Sequence, residues 1–382
     1  MRKLALLPML LLALAAFAAD DVHEYLDVPV HIEAPLRPIP VQTSDGKWLV
    51  VYHLYVTNLS TVDLVVERVI AADAAARPVV TYGESELRDA YRFESPIDFP
   101  RRDRAPSWTP ATIPAGRTAG VFFWMTFDTR QAVPSRFAHT IVFKDDPRLR
   151  IKSAGGMTVR GVPVMVDPAP PLVIGAPVRG GRWNCANGPA YNTAHQTLSV
   201  IDGRARIPQR FAFDFFKVDD AGHRLPEPFP NDITNSMFFG YGAQVIAVAD
   251  GVVERIVDGI PENVPQITGK ILMPVPLTKE TVSGNWLALK IAPQRWAFYA
   301  HLQPGSIRVK VGQRVKRGQL LGLLGDSGNA VGPHLHFQVG DALAESLNAT
   351  EGVPFVFDSY VDGKTRRTRV LPLNNENVTF AD

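Results

Sequence analysis

Proline and glycine interrupt this chain so often that it cannot be built from long helices. The 382 residues include 32 prolines and 29 glycines, set among many short runs rich in valine, isoleucine and phenylalanine. Proline breaks the interior of a helix, whereas short branched and aromatic runs between turns are typical of strands. The sequence therefore predicts a mostly β protein, and its length is enough for two domains.

The first residues have the features of a secretory signal peptide. Arg2 and Lys3 precede an apolar stretch, residues 4–14, and the small residues Ala16 and Ala18 follow it. We therefore expect residues 1–19 to be removed and the mature protein to be exported, to a periplasm or out of the cell. The apolar stretch is shorter than the roughly 20 residues that span a bilayer, so no transmembrane segment is expected.

Charge and cysteine content narrow the class of protein further. Removing Arg2 and Lys3 from the 40 basic residues leaves 38, which equals the number of acidic residues. A balanced chain lacks the basic surface of a nucleic-acid-binding protein, so no nucleic-acid partner is expected. Cys185 is the only cysteine. No internal disulfide can form, and we expect a buried, unreactive thiol.

Two kinds of sequence pattern divide the chain. From about residue 20 to 170, short alternating runs such as Trp48–Asn58 follow one another between turns. This pattern favours an immunoglobulin-like β-sandwich. A proline-rich stretch at 167–171 indicates a linker to a second domain, residues 171–382. The histidines of the first domain have no partners at metal-ligand spacing and are expected to be structural or exposed: His23, His31, His53 and His139.

Residues that can carry chemistry are concentrated in the second domain. His334 and His336 are two residues apart in an alternating run, so both rings project from the same face of a strand. His301 ends another strand-like run. Asp214 interrupts an apolar run, where a buried carboxylate needs a cation or a metal. An ion pair with Arg210 is the alternative to a metal at this position.

Five motifs occur in the order found in one family of enzymes. They are YGAQVIAVADGVV at 241–253, YAHL at 299–302, VGQRVKRGQ at 311–319, GLLGDSGN at 322–329 and GPHLHF at 332–337. Together they resemble the lysostaphin/LytM-type zinc metalloendopeptidases, which cleave cross-linking peptides of peptidoglycan. The resemblance covers about residues 205–340. It implies an antiparallel, barrel-like β-sheet domain, the duplicated hybrid motif, with a substrate groove.

The resemblance also implies roles for individual side chains. Asp214 and His336 match zinc ligands of the family. His301 and His334 match the histidines that orient the nucleophilic water and stabilise the transition state.

One ligand position departs from the family pattern. The motif H-x-x-x-D places a histidine four residues before the aspartate, but Arg210 stands there, and a guanidinium cannot bind zinc. His195 lies in a polar, turn-rich segment before the strand that carries Asp214. We therefore expect His195 to supply the third ligand, with His223 as a weaker alternative.

These features predict a secreted zinc-dependent endopeptidase, with peptidoglycan cross-links or another peptide as substrate. Zinc would activate a water molecule while the two remaining histidines assist proton transfer. The alternative is a degenerate, metal-free relative that acts as a binding or regulatory module of cell-wall enzymes, with an Arg210–Asp214 ion pair in place of the metal. The proline-rich insertion at 258–284 is expected to form a wall of the substrate groove.

Overall fold

Strands and turns make up nearly all of the structure. The computed structural model describes residues 23–95, 110–228, 232–265 and 272–381. The expected signal peptide, residues 1–19, lies outside the described residues. The mostly β fold class is confirmed, because the helical segments are single turns: Glu84–Leu87, Arg130–Ala132, Asn235–Met237 and Leu347–Ala349. No described helix has the length and apolar character needed to cross a membrane.

Ten of the twelve described strands of the N-terminal half form two sheets around one core, and the first and eleventh strands pair with each other in parallel. In chain order the twelve strands are β1 His23–Tyr25, β2 Val30–Glu33, β3 Val41–Gln42, β4 Trp48–Asn58, β5 Leu64–Ala72, β6 Pro78–Tyr82, β7 Phe93–Glu94, β8 Thr112–Ile113, β9 Thr118–Phe127, β10 Arg136–Phe143, β11 Leu149–Ile151 and β12 Thr158–Met165. One sheet has the order β2-β4-β9-β7 with β3 beside β4, and the other has β12-β10-β5-β6 with β8 beside β5. Apolar side chains from both sheets share one core, as a sandwich requires. The immunoglobulin-like character of this half stays a prediction.

Strand β4 is buried on both faces. Val50 and Tyr52 point into the N-terminal core, where Tyr52 stacks on Phe123 of β9 with ring centroids 4.8 Å apart. Leu49 and Val51 point the other way and join the core of the C-terminal half. The two halves of the chain are therefore in contact through the outer face of this strand.

Eleven of the fifteen described strands of the C-terminal half build one large sheet, and the other four form two separate two-stranded sheets. In chain order the fifteen strands are β13 Leu172–Ile174, β14 Arg182–Ala186, β15 Ser199–Ile201, β16 Arg204–Arg206, β17 Phe213–Val218, β18 Gln244–Ile246, β19 Gly251–Val257, β20 Asn285–Ala292, β21 Arg295–Leu302, β22 Arg314–Val315, β23 Leu320–Leu323, β24 Leu335–Gly340, β25 Phe355–Asp362, β26 Thr365–Val370 and β27 Asn377–Thr379. The sheet order is β13-β25-β27-β14-β17-β24-β21-β20-β19-β22, with β26 beside β25. The pairs from β14 to β20 are antiparallel, as expected. Cys185 in β14 is fully buried, and burial raises its pKa well above the usual value, so it is the unreactive thiol expected.

Candidate metal centre

Neighbouring strands of the large sheet bring the predicted site residues together. Asp214 in β17 stands opposite His336 in the adjacent β24. His334 lies just before β24, and His301 lies near the end of β21, the next strand of the sheet. The turn-rich segment before β15 adds His195 to the same place. Period-two alternation and strand order thus put four of these side chains at one end of three strands, and a loop supplies the fifth.

His195, Asp214 and His336 form a compact cluster of possible ligand atoms. These atoms all lie within 4.8 Å of one another, and all three side chains are buried. His336 Nδ1 is 2.9 Å from Asp214 Oδ1, and His195 Nε2 is 3.3 Å from Asp214 Oδ2. Ligand atoms at about 2.0–2.1 Å from a tetrahedral zinc ion lie roughly 3.3–3.4 Å apart. The spacing and the chemistry of these donors therefore fit zinc.

The hydrogen bonds of Gln338 fix the orientation and tautomer of His336. Gln338 Nε2 donates to the carbonyl of Leu347 at 3.0 Å, so the amide oxygen Oε1 faces His336 Nε2, also at 3.0 Å. That oxygen can only accept, so neutral His336 carries its hydrogen on Nε2. The lone pair of Nδ1 then points at the carboxylate of Asp214. Two acceptors at this distance repel each other unless a cation balances them.

The other three imidazoles present lone pairs in the same way. Each directs Nδ1 to a backbone carbonyl: His195 to Ala212 at 3.4 Å, His301 to Ser327 at 2.7 Å and His334 to Gly332 at 2.8 Å. A carbonyl only accepts, so in each neutral ring Nδ1 carries the hydrogen and Nε2 keeps its lone pair. His334 Nε2 lies 3.5 Å from Asp214 Oδ1. The cluster therefore gathers nitrogen lone pairs around one carboxylate, which suits a bound cation.

The electrostatics of the buried cluster keep Asp214 ionised. Burial by itself raises the pKa of Asp214. When His195 and His334 are protonated, their charges and hydrogen bonds to the carboxylate outweigh burial, and the pKa of Asp214 lies well below its usual value. Burial lowers the pKa of His301 well below its usual value, and the charges of His334 and His336 add to the effect. His301 is therefore neutral at pH 7 and can accept a proton.

The backbone of His301 adopts a conformation that is costly for a residue with a side chain. Its φ angle is +65°, in the left-handed region, which costs roughly 1–2 kcal/mol for a residue other than glycine. Hydrogen bonds on both sides hold it there: His301 N–H donates to Ser283 O at 3.2 Å, and Gly325 N–H donates to His301 O at 3.0 Å. Strain of this kind is common where a side chain must be aimed at a site.

Arg210 lies outside the cluster, although it is only four residues before Asp214. Its Nη2 donates to Glu351 Oε1 and to His53 Nδ1, both at 2.8 Å, and its Nε donates to Glu351 at 3.3 Å. The ion pair between Arg210 and Asp214, which was the alternative to a metal, is therefore not formed. The strand begins only at Phe213, so Arg210 belongs to the preceding turn and not to the strand face that carries Asp214.

His223, the weaker alternative for the third ligand, is not part of the cluster. Its side chain is 38% exposed and faces Asp219 and Glu227 at 3.4 and 3.5 Å. It lies in a turn after β17. Of the two histidines considered, the structure brings only His195 to Asp214.

Two residues that touch the cluster were not predicted from the sequence. Gln338 follows His336 at the same two-residue spacing that relates His334 to His336, so the alternation of the strand could have indicated it. Asn187 donates from Nδ2 to Asp214 Oδ2 at 2.8 Å. It comes from a loop, and no pattern in the sequence marks it.

A groove of about 360 Å³ opens onto the cluster. All five predicted site residues line it: His195, Asp214, His301, His334 and His336. The end of the proline-rich insertion also contributes, through Val282 and Ser283. Of the described part of the insertion, 258–265 and 272–284, these two residues line the groove, and the groove wall expected from the whole insertion stays a prediction.

Comparison with known proteins gives a family match in the C-terminal half of the chain. Residues 236–348 match the sequence model of peptidase family M23. Peptidoglycan DD-endopeptidase ShyB of Vibrio cholerae is 41% identical over 71 residues, which are 19% of this chain and 16% of ShyB. An uncharacterized metalloprotease of Haemophilus influenzae is 31% identical over 166 residues, covering 40% of this chain and 28% of that protein.

One solved structure is also similar to part of this chain. The catalytic domain of the antimicrobial peptidase lysostaphin from Staphylococcus simulans is 20% identical, with a TM-score of 0.24, over 46% of this chain and 89% of that domain. The two sequence relatives are matched over only part of their length: about a sixth of ShyB and less than a third of the Haemophilus protein. His301, His334 and His336 lie inside the matched residues, and Asp214 and His195 lie before them. The resemblance seen in the sequence is confirmed, since residues 236–348 match peptidase family M23.

Proposed function

We propose that this protein is a zinc-dependent endopeptidase that hydrolyses cross-linking peptides of peptidoglycan. The observation that carries the proposal is the convergence of imidazole lone pairs on the single buried carboxylate of Asp214, at the base of a groove. The match to peptidase family M23 supports peptide hydrolysis. The name of the ShyB relative, a peptidoglycan DD-endopeptidase, supports the substrate class.

Three side chains would hold the metal, and two further residues would orient them. His195, Asp214 and His336 are the ligands in this proposal, which is the number that catalytic zinc sites usually take from the protein. Asn187 and Gln338 hold Asp214 and His336 in place through the hydrogen bonds described above. The chemistry that bound zinc supplies is polarisation of the scissile carbonyl and a lower pKa for water.

His301 and His334 would act on protons. Both rings donate Nδ1–H to a carbonyl and keep the Nε2 lone pair, so each can accept the proton that the attacking water loses. A ring that has taken up this proton can then donate it to the leaving amine. While protonated it also stabilises the negative oxygen of the tetrahedral intermediate. The ring centroids of His301 and His334 are 4.8 Å apart, so both can reach one substrate peptide bond.

The competing function is a metal-free binding or regulatory module. Its support was Arg210, which stands where the family has a histidine. The guanidinium is bonded to Glu351 and His53, so the ion pair on which that function depended is missing. The four histidines around Asp214 also have no structural reason to share one pocket. We therefore favour the enzyme.

We further propose how the protein is exported and how its chain is organised into domains. Residues 1–19 would direct export to a periplasm or out of the cell, residues 20–170 would form the sandwich domain, and residues 171–382 would form the peptidase domain. Leu49 and Val51 of the first part pack into the core of the second, so the two would move together.

Metal content and hydrolysis, measured on the same samples, test the proposal. Purified protein should contain about one zinc ion per chain and should release new amino groups from peptidoglycan. His195→Ala should lose most of its zinc and its activity, because two protein ligands bind zinc poorly. His223→Ala is the matched control and should keep both, since His223 lies outside the cluster. Full zinc content in the His195 variant, or wild-type protein without zinc and without activity, would refute the proposal.

A further inference from the structure

One short segment of the insertion is bonded to the loop that orients both proposed proton-transfer histidines. The loop is residues 325–332, hereafter the histidine loop. Its Ser327 carbonyl accepts from His301 Nδ1, and its Gly332 carbonyl accepts from His334 Nδ1. The position of this loop therefore decides the tautomer and the direction of both rings.

Asn263, in the insertion, holds the histidine loop at three points. Its backbone N–H donates to Asp326 O at 2.9 Å. Its side-chain Nδ2 donates to Gly328 O at 2.8 Å and to Ala330 O at 3.3 Å. Asn263 is 3% exposed, so water cannot easily replace these bonds.

Glu262 adds a fourth point and ties the segment to the scaffold. Its Oε1 accepts from Asp326 N–H at 3.0 Å, and its Oε2 accepts from Tyr241 O–H at 2.7 Å. Close to this, Asp326 Oδ1 accepts from Gly332 N–H at 3.1 Å, which helps to hold the residue whose carbonyl accepts from His334 Nδ1. A continuous set of hydrogen bonds thus runs from the insertion to both rings.

We propose that Asn263, supported by Glu262, is a positioning residue for His301 and His334. The inference rests on the proposed function, and it gives the base of the insertion a role beyond that of a groove wall. Without the Asn263 amide, the histidine loop can shift, its carbonyls leave Nδ1, and the rings populate the tautomer in which Nε2 carries the hydrogen. That tautomer cannot accept a proton on the side facing the groove.

Asn263→Ala is the test, with Asn58→Ala as its matched control. Asn58 is also a buried asparagine whose Nδ2 donates to two backbone carbonyls, of Val62 and Ile113, but it lies in the N-terminal half. Asn58 Oδ1 also accepts from Ser60 N–H and Ser60 O–H, so Asn58→Ala should lose at least as much thermal stability as Asn263→Ala. Only Asn263→Ala should lower kcat, by about 10- to 100-fold, because misplaced catalytic groups cost rates of this order. KM and zinc content should stay within about two-fold of wild type.

The ring tautomers provide a readout that does not depend on activity. In protein labelled with ¹⁵N at histidine, the Nδ1 and Nε2 shifts of His301 and His334, assigned with single His→Gln variants, report which nitrogen carries hydrogen. Asn263→Ala should shift both rings away from the Nδ1–H form, while Asn58→Ala should leave them unchanged. If Asn263→Ala does not fold, Glu262→Ala, at a half-buried position, removes one hydrogen bond to the same loop and should shift the same resonances.

Different results would overturn the positioning role of Asn263 and the proposed function. Unchanged tautomers and unchanged kcat in both insertion variants would overturn the positioning role. Loss of zinc together with kcat would also overturn it, since the effect would then pass through the metal. Wild-type protein that shows the expected tautomers but hydrolyses no peptide would refute the proposed function and leave the geometric inference standing.

Discussion

Replacing Arg210 with methionine tests whether this side chain is a structural link and not a substitute for the metal. Its guanidinium makes three hydrogen bonds, two to Glu351 Oε1 and one to His53 Nδ1. The side chains of Arg210 and Glu351 are only 1% and 10% exposed. Removing one partner of a buried ion pair leaves a charge without compensation and costs about 3–5 kcal/mol. The melting temperature should fall by roughly 6–20 °C for a unit of this size.

The loss of stability in Arg210→Met should depend on pH. Burial raises the pKa of Glu351, and Arg210 opposes that increase. In the variant the opposing charge is gone, so the folded pKa rises further above the unfolded value. A carboxyl with a raised folded pKa destabilises the fold as pH increases from the unfolded value through the folded one. The deficit should therefore be larger at alkaline pH and shrink as pH falls toward 4.5, the ordinary pKa of this group.

A double-mutant cycle with Glu351→Gln separates the charge effect from lost packing. The glutamine keeps an oxygen for the Ile207 N–H, which Glu351 Oε2 now accepts at 3.3 Å, and it carries no charge. The double variant should recover about 2–3 kcal/mol relative to the sum of the single changes. Denaturation curves and zinc content provide the measurements. A cost below about 1 kcal/mol in Arg210→Met, no recovery in the double variant, or loss of zinc would each refute this reasoning.

Two further changes test groups near the cluster. Gln338→Leu removes the acceptor that holds His336 Nε2–H. The zinc affinity should fall about 10- to 100-fold, measured by competition titration with a chelator. Unchanged affinity would show that Gln338 does not orient the ring. Burial raises the pKa of Asp326 to about 7, so zinc-free wild-type protein should lose stability as pH rises from about 4 to 8. The asparagine of Asp326→Asn cannot ionise, so the free energy of unfolding of this variant should exceed that of wild type at pH 8 by up to about 4 kcal/mol. Near pH 4 the two proteins should be equally stable. A difference that does not vary with pH would contradict the raised pKa of Asp326.

The strand-borne part of the site could be predicted because it depends on short-range geometry. His334 and His336 lie on one face of β24 since successive side chains alternate, and Asp214 is opposite His336 in the neighbouring strand. A carboxylate inside an apolar run already indicated a partner of opposite charge. The family motifs then fixed the order in which these segments meet, which alternation alone does not give.

The remaining contacts depend on parts of the chain that are far apart. Arg210 pairs with Glu351, 141 positions away, and with His53 in the other half of the chain. No local pattern indicates that β4 is buried on both faces, because its second face is covered only when the C-terminal half packs against it. The histidine loop and Asn263 are joined through backbone carbonyls, which every residue carries, so residue type could not reveal that contact.

The arginine at position 210 and the proximity of His195 to Asp214 have one structural cause. The chain from 207 to 212 turns before β17 begins, so the residue four positions before Asp214 points toward the N-terminal half and not along the face of the strand. The same turn exposes backbone carbonyls on its other side: Arg210 O accepts from Gln196 Nε2 at 2.9 Å, and Ala212 O accepts from His195 Nδ1. These bonds hold the His195 segment against the turn and leave His195 Nε2 facing Asp214. A guanidinium at 210 is thus compatible with a complete set of donors, because the backbone that turns one side chain away also anchors the loop that supplies another.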